Sequence, residues 1–338
     1  MTHVVTLVSG DGIGPEITDA VLRILDAAEA PIAWDRQLGG VTALEETGDP
    51  LPDATIESIR QHKVALKGPL TTPVGTGFRS INVALRREFK LYANLRPTRT
   101  IMPGGRYEDV DLVLVRENTE GLYIGFETLI PIGDDPKAVA QSMAIVTRAG
   151  CERIVRYAFD YAVKHGRKKV TIVHKANILK AVSGLFLEVA HDVADEYHGR
   201  VEANDVIIDA AAMKMVMDPS QFDVIVTTNM FGDILSDLMA GLVGGLGLTP
   251  GANIGGEGAI FEAVHGSAPD IAGQGIANPT ALGLAACMML EHLGELDLAA
   301  RVRAAFITTI RDDRVRTRDL GGDAGTADFA DAVIRRLA

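Results

Sequence analysis

The chain is poor in cysteine, short of positive charge and without a long apolar run. Of its 338 residues only two are cysteines, Cys151 and Cys287. They make no disulfide framework and neither stands in a metal-ligand spacing, which excludes a disulfide-rich scaffold and a zinc module. Lys and Arg number 33 against 45 Asp and Glu, a formal net charge of −12. That balance argues against nucleic acid as a partner and makes any local cluster of arginines conspicuous. The apolar stretch 281–290 is about half of a membrane span and reads as a buried helix, so no membrane role is expected. There is no internal repeat and no low-complexity linker, so domain boundaries fall inside structured segments. The first strand, at 4–8, follows Met1 almost at once, so no signal peptide or Arg-rich transit segment is expected. A reducing compartment is expected, with the protein cytoplasmic or a mature form trimmed of a leader.

A dinucleotide fingerprint is also missing. Strand 4–8 runs into Gly10-Asp11-Gly12-Ile13-Gly14-Pro15-Glu16, spaced G-x-G-x-G rather than G-x-G-x-x-G. A tight strand-to-helix turn near a ligand is the better reading, with Gly14 capping the helix and Pro15 at its first position. What is present is an α/β alternation: strand 32–38, helix 53–61, strand 63–68. With 47% hydrophobic and 23% charged residues, the composition is that of a globular protein, and the length favours two domains.

Further on, Gly68-Pro69-Leu70-Thr71-Thr72-Pro73-Val74-Gly75-Thr76-Gly77 is a loop of turn residues. It leads to a helix with Ser80 and Asn82 near its start and Arg86 one turn beyond. Arg86, Arg96 and Arg116 each follow a predicted element. Three converging guanidinium groups in an acidic protein would suit a polycarboxylate. Residues 127–145 lack helical period and read as an extended arm that pairs with another copy across a dimer axis. From Thr147 a helix carries the stripe Ile154, Val155, Ala158, Phe159, Ala162 and Val163, stopped by Gly166. Strand 169–174 ends at His174-Lys175-Ala176-Asn177, a place where a lysine can serve chemistry, although most lysines at strand ends are simply solvated. Strand 205–209 ends in Asp209.

Strand 223–227 leads to Asn229-Met230-Phe231-Gly232-Asp233-Ile234-Leu235-Ser236-Asp237. The spacing sets both carboxylates on one helix face, with Ile234, Leu235, Leu238 and Leu242 mostly on the other. Like charges so placed repel by about 0.2–0.5 kcal/mol; a divalent cation between them reverses the sign. Spacing alone favours a solvated acidic face over a metal site. A Gly-dense run from 241 to 258 precedes strand 259–264, then His265-Gly266-Ser267-Ala268-Pro269-Asp270-Ile271-Ala272-Gly273 and Asn278. Such loops let backbone N–H groups approach pyrophosphate or adenine.

Jointly, Gly10–Glu16, Gly68–Pro73, Arg116–Tyr123, Lys175–Asn177, Asn229–Asp237 and His265–Gly273 resemble the β-decarboxylating dehydrogenase family. Its members act on isocitrate, 3-isopropylmalate, homoisocitrate or tartrate. The likeness runs from residue 4 to the C-terminus. It implies an α/β, two-domain isopropylmalate dehydrogenase-like fold, not a Rossmann fold, with a dimer-forming clasp arm at about 127–145. Residues 1–97 plus 250–338 would form the large domain and 98–249 the small one. Active sites would be shared across a homodimer or higher homo-oligomer.

The same resemblance implies roles residue by residue. Asp233 and Asp237 are metal ligands for Mg²⁺ or Mn²⁺, with Asp209 supplied by the neighbouring protomer. Arg86, Arg96 and Arg116 clamp substrate carboxylates. Tyr123 and the second protomer's Lys175 form the acid–base pair: Lys175 takes the C2 hydroxyl proton, and Tyr123 protonates the enol carbon after hydride and CO₂ have left. Thr72 and Asn82 lie by the nicotinamide of NAD, while His265, Gly266, Ser267, Ala268, Asp270, Ile271 and Asn278 hold its remainder.

Within the family, Ser80 and Asn82 set the substrate. Isopropylmalate enzymes present apolar groups there, whereas two polar residues suit the third carboxylate of isocitrate. A site built to hydrogen-bond its substrate rejects an analogue lacking that group by about 10⁴–10⁵. Homoisocitrate, one methylene longer, is separated by only ~1–3 kcal/mol. Asp270-Ile271 stands where NADP-dependent relatives resemble Lys-Tyr; a carboxylate there accepts from ribose hydroxyls and repels a 2′-phosphate. Arg318 lies near the same site without overturning that preference. A non-catalytic regulatory subunit would keep the fold and lose these groups, so a catalytic chain is expected.

Overall fold

The computed structural model describes residues 2–72 and 80–337; positions 73–77 of the turn-rich loop lie outside them. In chain order the first elements are β1 (His3–Val8), α1 (Gly14–Ala27), β2 (Ile32–Gln37), α2 (Val41–Thr47), α3 (Asp53–His62), β3 (Val64–Lys67), α4 (Ile81–Glu88) and β4 (Ala93–Arg99). Then come β5 (Asp111–Glu117), β6 (Glu127–Ile132), β7 (Asp135–Ser142), α5 (Arg148–Lys164), β8 (Lys169–His174), α6 (Val182–Glu196), β9 (Glu202–Ile207), α7 (Ile208–Met217), β10 (Val224–Thr227) and α8 (Asn229–Leu242). The chain closes with β11 (Pro250–Ile254), β12 (Ala259–Ala263), α9 (Thr280–His292), α10 (Leu296–Arg311) and α11 (Thr326–Arg335).

Two compact units result. One comprises Met1–Leu91, Arg96–Val110 and Ala240–Ala338, the other Tyr92–Leu95 and Asp111–Met239. Residues 98–110 and 240–249, assigned by sequence to the small domain, thus group with the unit that holds both chain ends.

In the first unit the strands run β2-β1-β3-β12-β11. All are parallel except β11, which is antiparallel to β12. Helix α9 is apolar on every side and buried from Thr280 through Leu290, as a core helix should be. It packs with Ile24 of α1, Phe306 of α10 and Phe329 of α11. Gly283 leaves the space that the Phe306 ring fills. No helix among the described residues is long and apolar enough to cross a membrane. Helix α1 starts one residue earlier than predicted: Ile13 stands at the cap and Gly14 at the first helical position.

In the second unit the strands run β5-β10-β8-β9, all parallel. Strands β5 and β10 contain unbroken buried runs, Val113–Val115 and Val224–Val226, as parallel strands covered on both faces require. Thr147 caps α5 by accepting the Gly150 N–H at 3.0 Å, and Gly166, at φ +65°, follows its end. The α5 stripe is buried through Ala162, but Val163 is 44% exposed; its position falls on the edge of the apolar arc. Residues 127–142 form an antiparallel hairpin, β6–β7, exposed along both strands.

Candidate active site

In the second unit, β10 pairs with β5 so that Thr227 lies opposite Arg116. The turn after Thr227 opens α8, which brings the first turn of that helix beside Arg116. Carboxyl ends of parallel strands are where ligands bind in open α/β sheets. Arg116 is only 1% exposed. Its Nε and one terminal nitrogen donate to Asn229 Oδ1 at 3.1 and 2.7 Å, and the other terminal nitrogen donates to Asp233 Oδ1. Gly232 permits this approach, since a Cβ there would press on the Arg116 stem. The Tyr123 hydroxyl donates to Asp233 Oδ2 at 2.6 Å, and the guanidinium lies 5.4 Å from the Tyr123 ring centroid, within cation–π range.

Asp237 follows one turn on, exposed. Leu235 and Met239 are buried, but Ile234 is 60% exposed, against the expectation that it lies on the face opposite the two aspartates. At ~100° per residue it stands on the solvent flank, beside the aspartates rather than opposite them. Two hard carboxylates one turn apart fit Mg²⁺ or Mn²⁺.

Asp209 is not at a strand end. β9 stops at Ile207 and Asp209 sits in the first turn of α7, where the helix dipole favours a carboxylate. The Ala-rich segment after it is strongly helical by propensity. Lys175 Nζ donates to Asp209 Oδ1, and that bond holds the Asp209 carboxyl below its ordinary range. Among the described residues no group of three acidic, His or Cys side chains is placed to hold a metal. The three predicted ligands are therefore not gathered within one chain.

Sequence reading missed the support under Lys175. The Ala176 N–H donates to His174 Nδ1 at 3.1 Å, so neutral His174 carries its proton on Nε2, which meets Asp205 Oδ1 at 3.1 Å. His191 Nε2 lies 3.4 Å from the other Asp205 oxygen. The Lys175 N–H is taken by Ser183 Oγ at 3.2 Å. The available signal was a histidine directly before the lysine.

In the first unit, α4 carries Ser80 at its cap position, without a side-chain capping bond. Arg86, Arg96 and Arg116 stand inside α4, β4 and β5 rather than after them, and Arg96 is buried. Arg86 and Arg96 belong to this unit and Arg116 to the other. Asn82 and Arg86 line a small pocket with Lys67, Asn253 and Glu262. Lys67 Nζ lies 2.7 Å from Glu262, Asn253 Nδ2 donates to Glu262 at 2.7 Å, and Arg86 lies 3.9 Å from it. Burial alone would raise the Glu262 carboxyl, but Lys67 and Arg86 outweigh it and hold the group down at about 2. Asn82 Oδ1 and Arg86 Nε are buried with no partner among the described residues. Unsatisfied buried groups are costly and mark places where a ligand can serve.

The predicted cofactor residues also lie in the first unit. Thr72 is exposed and follows Thr71, whose hydroxyl meets Ser267 Oγ at 2.7 Å. His265 Nδ1 lies 2.9 Å from the Gly266 carbonyl, a bond it makes as donor, and its Nε2 is buried without a partner among the described residues. Burial lowers its pKa below the ordinary value, so the neutral ring offers Nε2 as an acceptor to a ligand N–H. Ala268 has φ +39°. Gly266 and Asp270 are exposed and Ile271 is half-buried. Asn278, two residues before α9, accepts the Thr280 N–H on Oδ1 at 3.0 Å and donates to Asp319 at 2.9 Å. Arg318 is exposed.

A family model described as isocitrate/isopropylmalate dehydrogenase matches residues 4–333. The alpha subunit of human mitochondrial isocitrate dehydrogenase (NAD) is 50% identical over 338 residues, covering 98% of this chain and 90% of its own. A relative from Dictyostelium discoideum, named as a regulatory subunit of mitochondrial isocitrate dehydrogenase (NAD), is 48% identical over 336 residues, covering 98% and 91%. The crystal structure of isocitrate dehydrogenase from Methylococcus capsulatus matches with a TM-score of 0.96 and 56% identity over 99% of each chain. With the arginine, tyrosine, lysine and aspartate residues arranged as described, the chain belongs to the isocitrate/isopropylmalate dehydrogenase family.

Proposed function

We propose that this chain oxidises and decarboxylates isocitrate to 2-oxoglutarate and CO₂, reducing NAD⁺ with a divalent cation present. The observation that carries the choice of substrate is the pair of orphaned buried atoms on α4, Asn82 Oδ1 and Arg86 Nε. An isopropyl group would leave them unpaired; the additional carboxylate of isocitrate accepts from the Arg86 Nε–H directly, and Asn82 Oδ1 accepts from a water that donates to both oxygens.

When bound, the cation polarises the substrate oxygens and NAD⁺ accepts the hydride. The chain supplies the rest. Arg86, Arg96 and Arg116 orient the carboxylates. Lys175 Nζ takes the C2 hydroxyl proton, and the Tyr123 hydroxyl delivers one to the carbon that loses CO₂. Asp233 and Asp237 supply oxygen donors to Mg²⁺ or Mn²⁺. An acceptor at His265 and a carboxylate at Asp270 suit the adenosine of NAD⁺ and disfavour a 2′-phosphate.

The active form in this reading is a homodimer or higher homo-oligomer. Support comes from the β6–β7 hairpin, where Leu129, Ile130, Ile132 and, opposite Ile130, Val139 are all exposed; adjoining apolar side chains left in water favour a partner that covers them. The Lys175–Asp209 pair would then complete the site of a second copy. Two buried free thiols, Cys151 and Cys287, fit a reducing compartment, and we assign the cytoplasm.

One assay panel tests the reading. The purified chain is given Mg²⁺ or Mn²⁺, NAD⁺ or NADP⁺, and isocitrate, homoisocitrate, 3-isopropylmalate or tartrate. The expected result is activity with isocitrate and NAD⁺. Preference for isopropylmalate overturns the Ser80 and Asn82 reading; preference for NADP⁺ overturns that of Asp270. No activity from the chain alone favours a regulatory role, the one in the name of the Dictyostelium relative.

A further inference from the structure

The Gly10–Glu16 motif takes no part in the chemistry above, yet its polar groups reach two of the stretches that carry predicted cofactor residues, the one ending at Thr72 and the one from His265 to Asn278; Asn82 on α4 lies outside its contacts. Asp11 is 4% exposed. Its Oδ2 accepts the Thr71 N–H at 2.7 Å, next to Thr72, and its Oδ1 accepts the Val41 and Thr42 N–H groups at 2.8 and 3.3 Å. The Asp11 N–H donates to the Pro69 carbonyl at 2.8 Å and the Ile13 N–H to the Ser267 carbonyl at 2.9 Å. Five residues on, Glu16 accepts the Gly275 and Ala277 N–H groups at 3.1 and 3.0 Å and the Thr326 hydroxyl. Ala277 directly precedes Asn278.

The glycine spacing follows from the same contacts. Gly10 and Gly12 have φ of +81° and +59°, the region that glycine enters without cost. A Cβ on Gly10 would strike the Pro69 carbonyl, and one on Gly12 the Ser267 carbonyl. The interval between these glycines is thus set by two neighbouring loops, not by a pyrophosphate.

We infer that Asp11 and Glu16 are positioning residues for the dinucleotide: they hold segments 69–72 and 265–278 in the geometry that receives it. The inference rests on the cofactor reading of those segments given above. Charge matters because every contact to Asp11, and the backbone contacts to Glu16, come from N–H donors. A carboxylate offers two acceptor oxygens, whereas an amide turns an NH₂ toward one of the donors.

The test compares wild type with Asp11→Asn and Glu16→Gln. It measures NAD⁺ binding by calorimetry, amide exchange of the ligand-free protein, and KM for isocitrate. We expect NAD⁺ affinity to fall about tenfold in each variant, the loss for a charge-assisted hydrogen bond. Isocitrate KM should stay within about twofold, since the groups bonded to these two carboxylates are none of the proposed substrate residues. Exchange should quicken at Thr71 in Asp11→Asn and at Gly275 and Ala277 in Glu16→Gln. If wild type binds NAD⁺ and both variants bind it equally well, the inference is overturned. If wild type binds no NAD⁺, the cofactor reading itself falls, and this with it. If Asp11→Asn does not fold, Asp11 is holding the domain rather than the loops and its part is overturned; Glu16→Gln, at a half-exposed position, then decides for the other.

Discussion

The Tyr123 hydroxyl donates to Asp233 Oδ2 at 2.6 Å, while Arg116 donates to Oδ1 of the same carboxylate. Both oxygens of a proposed metal ligand thus already serve donors from the proposed substrate and acid–base groups. A cation drawing on Asp233 must share it with the tyrosine or displace it. Tyr123→Phe should cut kcat by about 10²–10⁴, as expected for loss of a general acid, with isocitrate KM little changed. Its Mg²⁺ dependence should shift to equal or lower concentration, because Asp233 loses a competing donor. Steady-state kinetics against isocitrate and Mg²⁺ checks this; a kcat near wild type removes Tyr123 from the chemistry.

Lys175 is held by its own N–H on Ser183, by the His174 ring under the next N–H, and by Asp209 at its head. Lys175→Met keeps the stem and removes the proton acceptor. Metal-dependent isocitrate binding, measured by calorimetry, should persist while turnover drops by about 10²–10⁴. Wild-type turnover in the variant would show that the proton leaves by another route.

Much of the fold is legible in the residues because long periodic segments speak for themselves: the α5 stripe, the all-apolar α9, the short buried strands. What escaped is instructive. β11 contains Pro250 and Gly251, poor strand formers, and exists because β12 pairs with it, a tertiary override of propensity. Asp209 looked like the end of a strand because nothing in Asp205–Ile208 marks where extended chain becomes helix. The Lys67–Glu262 pair was out of reach for another reason. Each is one charge in an apolar strand, and only the parallel register of β3 with β12, which sets Lys67 opposite Glu262, shows that they answer one another. The proposed site residues are named by motif alone; the groups that touch them or their neighbours, Asp205, His174, Asn253 and Glu262, carry no motif, because their partners lie on other elements.

Glu262 gives a pH signature. Its carboxyl sits at about 2 in the folded chain against an ordinary 4.5. As pH falls, the unfolded chain therefore takes up this proton first. The contribution is fully present above about pH 4.5 and is lost as pH falls toward 2, on the order of 3 kcal/mol in all. Glu262→Gln should have a lower Tm at pH 7, because Lys67 is left buried without its counter-charge. Its Tm should also fall less steeply than that of wild type between pH 5 and pH 3, by about the share of this one group. Parallel Tm curves for the two proteins, from calorimetric scans across that range, would show that the pair carries no linked stability.

Sharing of sites between copies can be read by mixing two dead variants. Asp233 is bonded to Arg116 and Tyr123, whereas Asp209 is bonded to Lys175. Asp233 and Asp209 therefore fall in separate clusters of one chain. If a working site takes Asp233 from one copy and Lys175 from another, Asp233→Asn and Lys175→Met each kill every site in their own homodimer. A mixed dimer then has one site with both substitutions and one with neither. After denaturation and joint refolding of equal amounts, activity should return to about a quarter of wild type, since half the dimers are mixed and each has one intact site. Sites built within single chains give no recovery, because every chain in the mixture carries a lesion. Activity of the co-refolded mixture, set against each variant refolded alone, separates the two architectures.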